Sequence, residues 1–310
     1  MVTMIPDDMF TPEVMNDPYS YYGMLREEDP IHWNELYELW VITRHADLVW
    51  LTRNHELFSS ATFLNDPRPA YPAIIEADEE IYRAACNYQG NMFIQKDRPD
   101  HLEMRKVVHR YFTPKSMEEW RPLVISATNQ LLDEAESKTD VDLMLDLAVP
   151  LPLLVIAEMM GVPEEDRRYI RTLAEKLLFN NRGEPDRYRT YVEGMTGMFD
   201  YVSPLIDERK ENPGDDFISV LAGGEKDGIF TREQSLANTA LLLIAGHETT
   251  INLICNGTKS FMENRDQWDL FKTDTEGMMD RAAEEALRTA PLVPILKSQR
   301  DALGLERSRQ

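Results

Sequence analysis

The chain of 310 residues is longer than the roughly 100–200 residues of a typical domain, so its length permits two domains or one large fold. Its hydrophobic fraction of 43% can supply a packed core, and its charged fraction of 28% is not that of a disordered chain. The formal net charge of −22 would repel phosphate groups. We therefore expect a globular protein that binds neither nucleic acid nor anionic membranes broadly.

Nothing in the sequence marks a domain boundary, a secretion signal or a membrane anchor. No repeat, low-complexity tract or Gly/Ser linker divides the chain, and residues 1–8 lack the basic and apolar regions of a signal peptide. No apolar run approaches the ~18 residues that a membrane span needs. Cys86 and Cys255 are too few for a disulfide framework and wrongly spaced for a zinc cluster. We predict one cytoplasmic domain over residues 1–310.

Local patterns predict a mainly α fold with a small β region near the N-terminus. Residues 39–52 begin with a β-branched apolar run that is typical of a strand, and then follow helical spacing. Residues 151–160 are predicted to form an apolar helix, which Gly161 and Pro163 should terminate. Helical spacing recurs at Leu123, Leu131 and Leu132, and again at Met195, Phe199, Val202 and Ile206.

The longest predicted helix begins at Thr231-Arg232-Glu233-Gln234. This is a capping box, in which the first hydroxyl and the last side-chain amide bond N–H groups that the helix leaves without partners. No proline follows until Pro291. Leu241-Leu242-Leu243-Ile244 is apolar on every face, which predicts a helix buried in the middle of the protein.

Ala245-Gly246-His247-Glu248-Thr249-Thr250 interrupts this apolar helix with a glycine, a carboxylate and two hydroxyls. Threonine hydroxyls compete for helix carbonyls and glycine removes a side chain, so the turn can open a groove where a small molecule meets the backbone. A plainer alternative is that the polar residues face a neighbouring element. His247-Glu248 also resembles the start of an H-E-x-x-H zinc-protease helix, but Ile251 replaces the second histidine and excludes that site.

The segment from Leu241 to Thr250 resembles the central dioxygen-binding helix of cytochromes P-450, the haem-thiolate monooxygenases. Asn-Pro-Gly-Asp-Asp at 212–216 is also similar to the family. The resemblance implies that Ala245 and Gly246 line the distal face of haem b, and that Glu248 and Thr249 deliver protons to dioxygen.

Two further segments resemble the family in the expected order. Glu285 and Arg288 match its E-x-x-R helix, whose pair forms a buried ion-pair network that supports the haem-binding core. Alone, such spacing is ordinary on a solvated helix face. His101 and Arg105 match the H-x-x-x-R pair that binds haem propionates, and Arg300 resembles another propionate-binding arginine. The alternative for His101 and Arg105 is a basic helix face that offsets the acidic chain.

The resemblance also implies partners and a substrate class. Such enzymes receive electrons from a ferredoxin-type donor with an NAD(P)H-dependent reductase, and a basic patch can steer an acidic partner. Ile244, Val293 and Ile295 would contact the substrate, and their apolar side chains favour a lipophilic small molecule, although a buried core would look the same. The patch comprises Arg98, Arg105, Lys106, Arg110 and Lys115.

The family-like region extends from about residue 17 to 300, and residues 301–310 match nothing in the family. The F-x-x-G-x-x-x-C-x-G segment with the axial cysteine does not occur, and neither Cys86 nor Cys255 has its glycine-rich context. We therefore expect an incomplete cytochrome P-450 domain that is inactive as it stands. The alternatives are a non-catalytic remnant or binding protein that keeps the helical scaffold, and an unrelated all-α interaction protein.

Overall fold

The computed structural model describes residues 7–61, 79–178 and 186–289 of the chain. Clustering of contacts divides the protein into two compact units. Of the described residues, the first unit comprises 7–61, 79–90 and 94–101, and the second comprises 91–93, 102–178 and 186–289. Three of the predicted site residues lie outside the described residues: Val293, Ile295 and Arg300.

The first unit is built around an antiparallel hairpin, which confirms the predicted β region. Its two strands pair in register from Ile31 with Ile42 to Asn34 with Leu39. Leu25 and Val41 are almost completely buried in the apolar cluster that holds the hairpin against the preceding helices. The elements are α1 Pro12–Asn16, α2 Pro18–Glu28, β1 Ile31–Asn34, β2 Leu39–Ile42, α3 His45–Arg53 and α4 Glu79–Gly90.

Helices make up the rest of the described chain, as the sequence predicts. No helix among the described residues is both long and apolar enough to cross a membrane. The α-helices are α5 Asp100–His109, α6 Pro114–Glu136, α7 Pro150–Met160, α8 Arg167–Leu178, α9 Arg187–Glu211, α10 Phe217–Lys226, α11 Arg232–Glu263, α12 Arg265–Thr273 and α13 Thr275–Thr289. The 3₁₀ turns are Phe93–Gln95, Arg110–Phe112 and Glu164–Asp166, and a π-helix spans Met144–Ala148.

The predicted helix ends are confirmed where the sequence carries a capping signal. The Thr231 hydroxyl accepts a bond from the Gln234 N–H at 3.3 Å, and the Gln234 side chain accepts one from the Thr231 N–H at 2.8 Å. At the C-terminal end of α7, Gly161 terminates the helix with a φ of +77°, a left-handed conformation that favours glycine. Local hydrogen bonding therefore sets both boundaries.

Helix α11 is the core of the second unit. Residues 235–241 and Leu243 are buried, and the helix packs against α7, α8, α9, α10, α12, α13 and the π-helix. Its buried polar side chain Asn238 is satisfied: the amide donates to the Gln234 carbonyl at 2.7 Å, and its oxygen accepts from the Phe93 N–H at 2.9 Å. The predicted central, buried helix is therefore present in its N-terminal half.

We expect Gly161→Ala to lower the free energy of unfolding by about 2 kcal/mol or more, because the left-handed backbone disfavours any Cβ. A Cβ there would also lie 2.7 Å from the Asp216 Cβ. Asp216 cannot readily withdraw, since its carboxylate bonds Arg209 Nε at 2.8 Å and the Ser219 N–H at 2.7 Å. Urea unfolding monitored by circular dichroism measures the change.

Gly223→Ala is the matched control. Gly223 lies within α10, and a Cβ there would meet no atom within 4 Å. We expect it to raise the free energy of unfolding by roughly 0.5–1 kcal/mol, since alanine restricts the unfolded chain. Equal effects of the two substitutions would contradict the role assigned to the Gly161 conformation.

Candidate functional site

The C-terminal half of α11 is buried on one side and open on the other. Ala245 and Glu248 are exposed and Thr249 is half-buried, whereas His247 and Ile251 are buried. Successive residues of an α-helix are rotated by about 100°, so Ala245, Glu248 and Thr249 share one face. The structure thus brings together three of the residues singled out in the central helix. The substrate candidate Ile244, next to Ala245, is half-buried.

Gly246 serves the contact between α11 and α7. A Cβ at this position would lie 2.8 Å from Cδ1 of Ile156, so a side chain here would require the Ile156 side chain to move. The backbone remains α-helical over all 32 residues of α11. Close helix packing therefore accounts for the glycine in this structure.

The two threonine hydroxyls bond to their own helix. Thr249 Oγ1 donates to the Ala245 carbonyl at 2.6 Å, and Thr250 Oγ1 donates to the Gly246 carbonyl at 2.6 Å. This is the competition for helix carbonyls that the sequence suggested. Each hydroxyl oxygen keeps lone pairs that can accept a hydrogen bond.

His247 is a buried polar residue that the sequence analysis considered only as a zinc ligand. Its side chain lies 3.1 Å, through Nε2, from the Val149 carbonyl oxygen, and 7% of the residue is exposed. Burial lowers the pKa of His247 below its ordinary value of 6.5, although the bond to Val149 opposes that change. The sequence could have predicted the burial of His247 from helical spacing, because His247 lies on the same helix face as the buried Leu243 and Ile251.

The predicted propionate-binding pair lies one turn apart on α5. His101 is half-buried, and Arg105 is exposed. Among the described residues, no carboxylate lies within ion-pair distance of Arg105, so its guanidinium is available to an anion from outside. His101 belongs to the first unit and Arg105 to the second.

Glu285 and Arg288 form the predicted ion pair on α13, but the pair is exposed rather than buried. Arg288 Nε donates to Glu285 Oε2 at 2.8 Å, and the two side chains are 70% and 59% exposed for Arg288 and Glu285. The reason is the way α13 packs: it meets α11 and α12 through the side that carries Ala282 and Ala286. Gly257 permits that approach, since a Cβ there would lie 3.2 Å from the Ala286 Cβ.

We expect Arg288→Ala to leave the thermal midpoint of the chain nearly unchanged, because an exposed pair contributes little to stability in water. Arg209→Ala is the control and should lower the midpoint, since the Arg209 side chain is only 19% exposed and its partner Asp216 only 13%. Calorimetry of the two variants makes the comparison. Loss of folded protein on Arg288→Ala would show that the pair is buried in solution.

Known proteins are similar to this chain over most of its length. No model of a protein family matches it. The chain is similar to the polyketide biosynthesis cytochrome P450 PksS of Bacillus subtilis (strain 168), with 32% identity over 296 residues that cover 92% of this chain and 70% of the relative. It is also similar to the cytochrome P450 monooxygenase PikC of Streptomyces venezuelae, with 36% identity over 280 residues, 88% of this chain and 62% of that one.

A solved structure shares the fold. The complex of P450BioI with an acyl carrier protein carrying hexadec-9Z-enoic acid aligns with a TM-score of 0.76 and 29% identity, over 89% of this chain and 69% of that chain. The mainly α architecture with a small β region is therefore the P450 fold. Sequence and structure agree that the chain belongs to the bacterial cytochrome P450 family of haem-dependent monooxygenases.

Proposed function

We propose that this chain forms the distal side of a P450 site that hydroxylates a lipophilic small molecule with electrons from a ferredoxin-type donor. The observation that carries the proposal is the open face of Ala245, Glu248 and Thr249 on a helix whose N-terminal half is buried. Polar residues that directly follow the apolar run of the longest helix break its pattern and point to function. Haem, when bound, supplies the activation of dioxygen.

The residues present fit a haem group. A flat apolar ring needs a small side chain beneath it, and Ala245 is both small and exposed. Propionates need cations, and Arg105 has no carboxylate within ion-pair distance among the described residues. We propose that His101, Arg105 and Arg300 hold the propionates. Gly246 would contribute indirectly, by letting α11 lie against Ile156 of α7.

Glu248 and Thr249 are proposed to control protons on the open face. Because the Thr249 hydroxyl donates to the Ala245 carbonyl, its oxygen can hold a water molecule as an acceptor. The exposed Glu248 carboxyl, on the same face, can take up a proton from solvent and pass it to that water. Thr249 would therefore position the water and Glu248 would supply the proton.

The substrate class is proposed from the apolar side chains near this face. Ile244 is half-buried beside the exposed Ala245, and Val293 and Ile295 are the other proposed contacts. The names of similar proteins support a lipophilic class: PksS belongs to polyketide biosynthesis, and the P450BioI complex carries a hexadecenoic acid.

The electron donor is proposed to dock on exposed cations that follow Arg105. Lys106 and Arg110 are exposed, and the Lys115 side chain is 90% exposed. Within a chain of net charge −22, these cations offer a local attraction for an acidic protein. We propose a cytoplasmic location, which suits two cysteines that are both free thiols.

Neither cysteine is proposed as the axial ligand. Burial raises the pKa of the Cys86 thiol, and burial together with the Asp142 carboxylate raises that of Cys255. A thiolate ligand needs the opposite, a positive environment that favours the deprotonated form. We also propose that Glu285 and Arg288 support the haem-binding core only where further protein covers the pair, and that they take no part in catalysis.

We expect residues 1–310 alone to bind haem weakly and to show no thiolate-type Soret band after reduction and exposure to carbon monoxide. Cys86→Ala and Cys255→Ala should leave the spectrum unchanged. A red-shifted band that one of these substitutions abolishes would identify that cysteine as the ligand. Absence of any haem binding would favour the non-catalytic scaffold instead.

We expect Thr249→Ala to divert electrons to hydrogen peroxide in a chimera that joins residues 1–300 to the corresponding C-terminal part of PksS. Loss of the positioned water should reduce product per NAD(P)H by about tenfold or more. Thr250→Ala is the control, because it makes the same bond to a helix carbonyl but lies farther around the helix. An equal amount of product per NAD(P)H in the two variants would contradict the role proposed for Thr249.

A further inference from the structure

The buried contact between His247 and Val149 has no part in the proton chemistry proposed above. Val149 lies between the π-helix Met144–Ala148 and α7, and its carbonyl oxygen is 3.1 Å from His247 Nε2. A carbonyl can only accept, so Nε2 carries the proton and donates it. Among the described residues Nδ1 is buried and has no hydrogen-bond partner, which makes it the unprotonated nitrogen.

The His247 side chain points away from the open face of α11. Residues two positions apart on an α-helix are rotated by about 200° about its axis, so the side chain of His247 emerges on the far side from Ala245 and Thr249. Gly246 makes a second contact with α7, since without a Cβ it leaves room for the Ile156 side chain, whose Cδ1 would lie 2.8 Å from a Cβ at this position. The Gly246 contact allows α11 to approach α7 closely, and the His247 bond restrains the rotation of α11 about its own axis.

We propose that His247 is a positioning residue: by donating its Nε2 proton to the Val149 carbonyl, it fixes the rotation of α11 that presents Ala245, Glu248 and Thr249 on the open face. The catalytic meaning of that face rests on the proposed function, whereas the restraint itself is a property of the folded chain. A rotation of one residue would turn Thr249 by about 100° and remove it from the face.

Neutral histidine suits this role. A second proton would sit on Nδ1 without an acceptor in a buried environment, which is unfavourable. The charged groups that act electrostatically on the ring are Glu248 on α11, and Arg171 and Glu175 on α8. The two carboxylates favour the charged ring and Arg171 opposes it, while burial is the largest effect and keeps the ring neutral.

The experiment uses the 310-residue chain without haem. Nitrogen-15 NMR of the histidine ring identifies the tautomer in the wild-type protein, and amide hydrogen exchange reports local opening. His247→Leu removes the donor, and His247→Gln places an amide N–H near the position of Nε2. In His247→Leu we expect exchange at residues 248–250 to rise about tenfold, the usual effect of one lost hydrogen bond, while Ala237 and Ala240 stay unchanged. His247→Gln should exchange like the wild type.

Three results would overturn the proposal. The first is an Nδ1-protonated tautomer in the wild type, which decides the matter even where a variant does not fold. The second is faster amide exchange in His247→Gln, equal to that in His247→Leu, which would show that ring packing rather than the hydrogen bond limits local opening. The third is a uniform rise in exchange along α11, which would mean a loss of global stability. None of these depends on haem, so the carbon monoxide spectrum judges the proposed function separately.

Discussion

The burial of α11 is the constraint on which the second unit depends. Every side chain from 235 to 241 is withdrawn from water, so the helix must be enclosed by other elements on all sides. Helices α7, α9 and α10 supply that enclosure. Full burial of an aliphatic side chain such as Leu243 stabilises by about 1.5–3 kcal/mol, which is enough for a few such residues to hold the layers together. Polar residues inside this half differ in how they are satisfied: Thr239 donates to the Ser235 carbonyl at 3.1 Å, whereas the Ser235 hydroxyl has no hydrogen-bond partner among the described residues.

The enclosure changes from complete to one-sided at Ala245. Before this residue, residues 235–241 and Leu243 are buried, and after it only His247, Ile251 and Gly257 of α11 are buried. The residues with reactive side chains therefore occur where packing no longer requires apolar ones. A rigid support beneath and a free surface above is the arrangement that preorganised sites need. The same helix thus combines a packed side with the open face to which the proposed chemistry is assigned.

Much of this organisation follows from the sequence, because the signals are local. The Thr231 capping box, the Gly161 terminus and the β-branched run before α3 each depend on a few neighbouring residues, and all three are confirmed. The exposure of Glu285 and Arg288 depends instead on which side of α13 meets α11, and E-x-x-R spacing does not encode that.

The π-helix was also unforeseen. The Val149 N–H bonds the Met144 carbonyl, five residues earlier, immediately before Pro150 begins α7. The change of register brings the Val149 carbonyl to the end of the π-helix, where His247 reaches it. A distant acceptor of this kind cannot be inferred from the spacing of residues around His247. Local rules therefore predict the elements better than the contacts between them.

The two adjacent threonines show why position on the helix, rather than residue type, assigns a chemical role. Both hydroxyls donate at 2.6 Å to the carbonyl four residues earlier, so their local chemistry is the same. Thr249 shares its face with the exposed Ala245, whereas Thr250 is rotated by about 100° toward the packed side. An oxygen whose proton is committed to the backbone can only accept, and it needs a nearby donor that communicates with solvent. Glu248 lies next to Thr249 on the open face and is exposed, so the proposed proton role falls to Thr249 rather than to Thr250 because of its position on the helix.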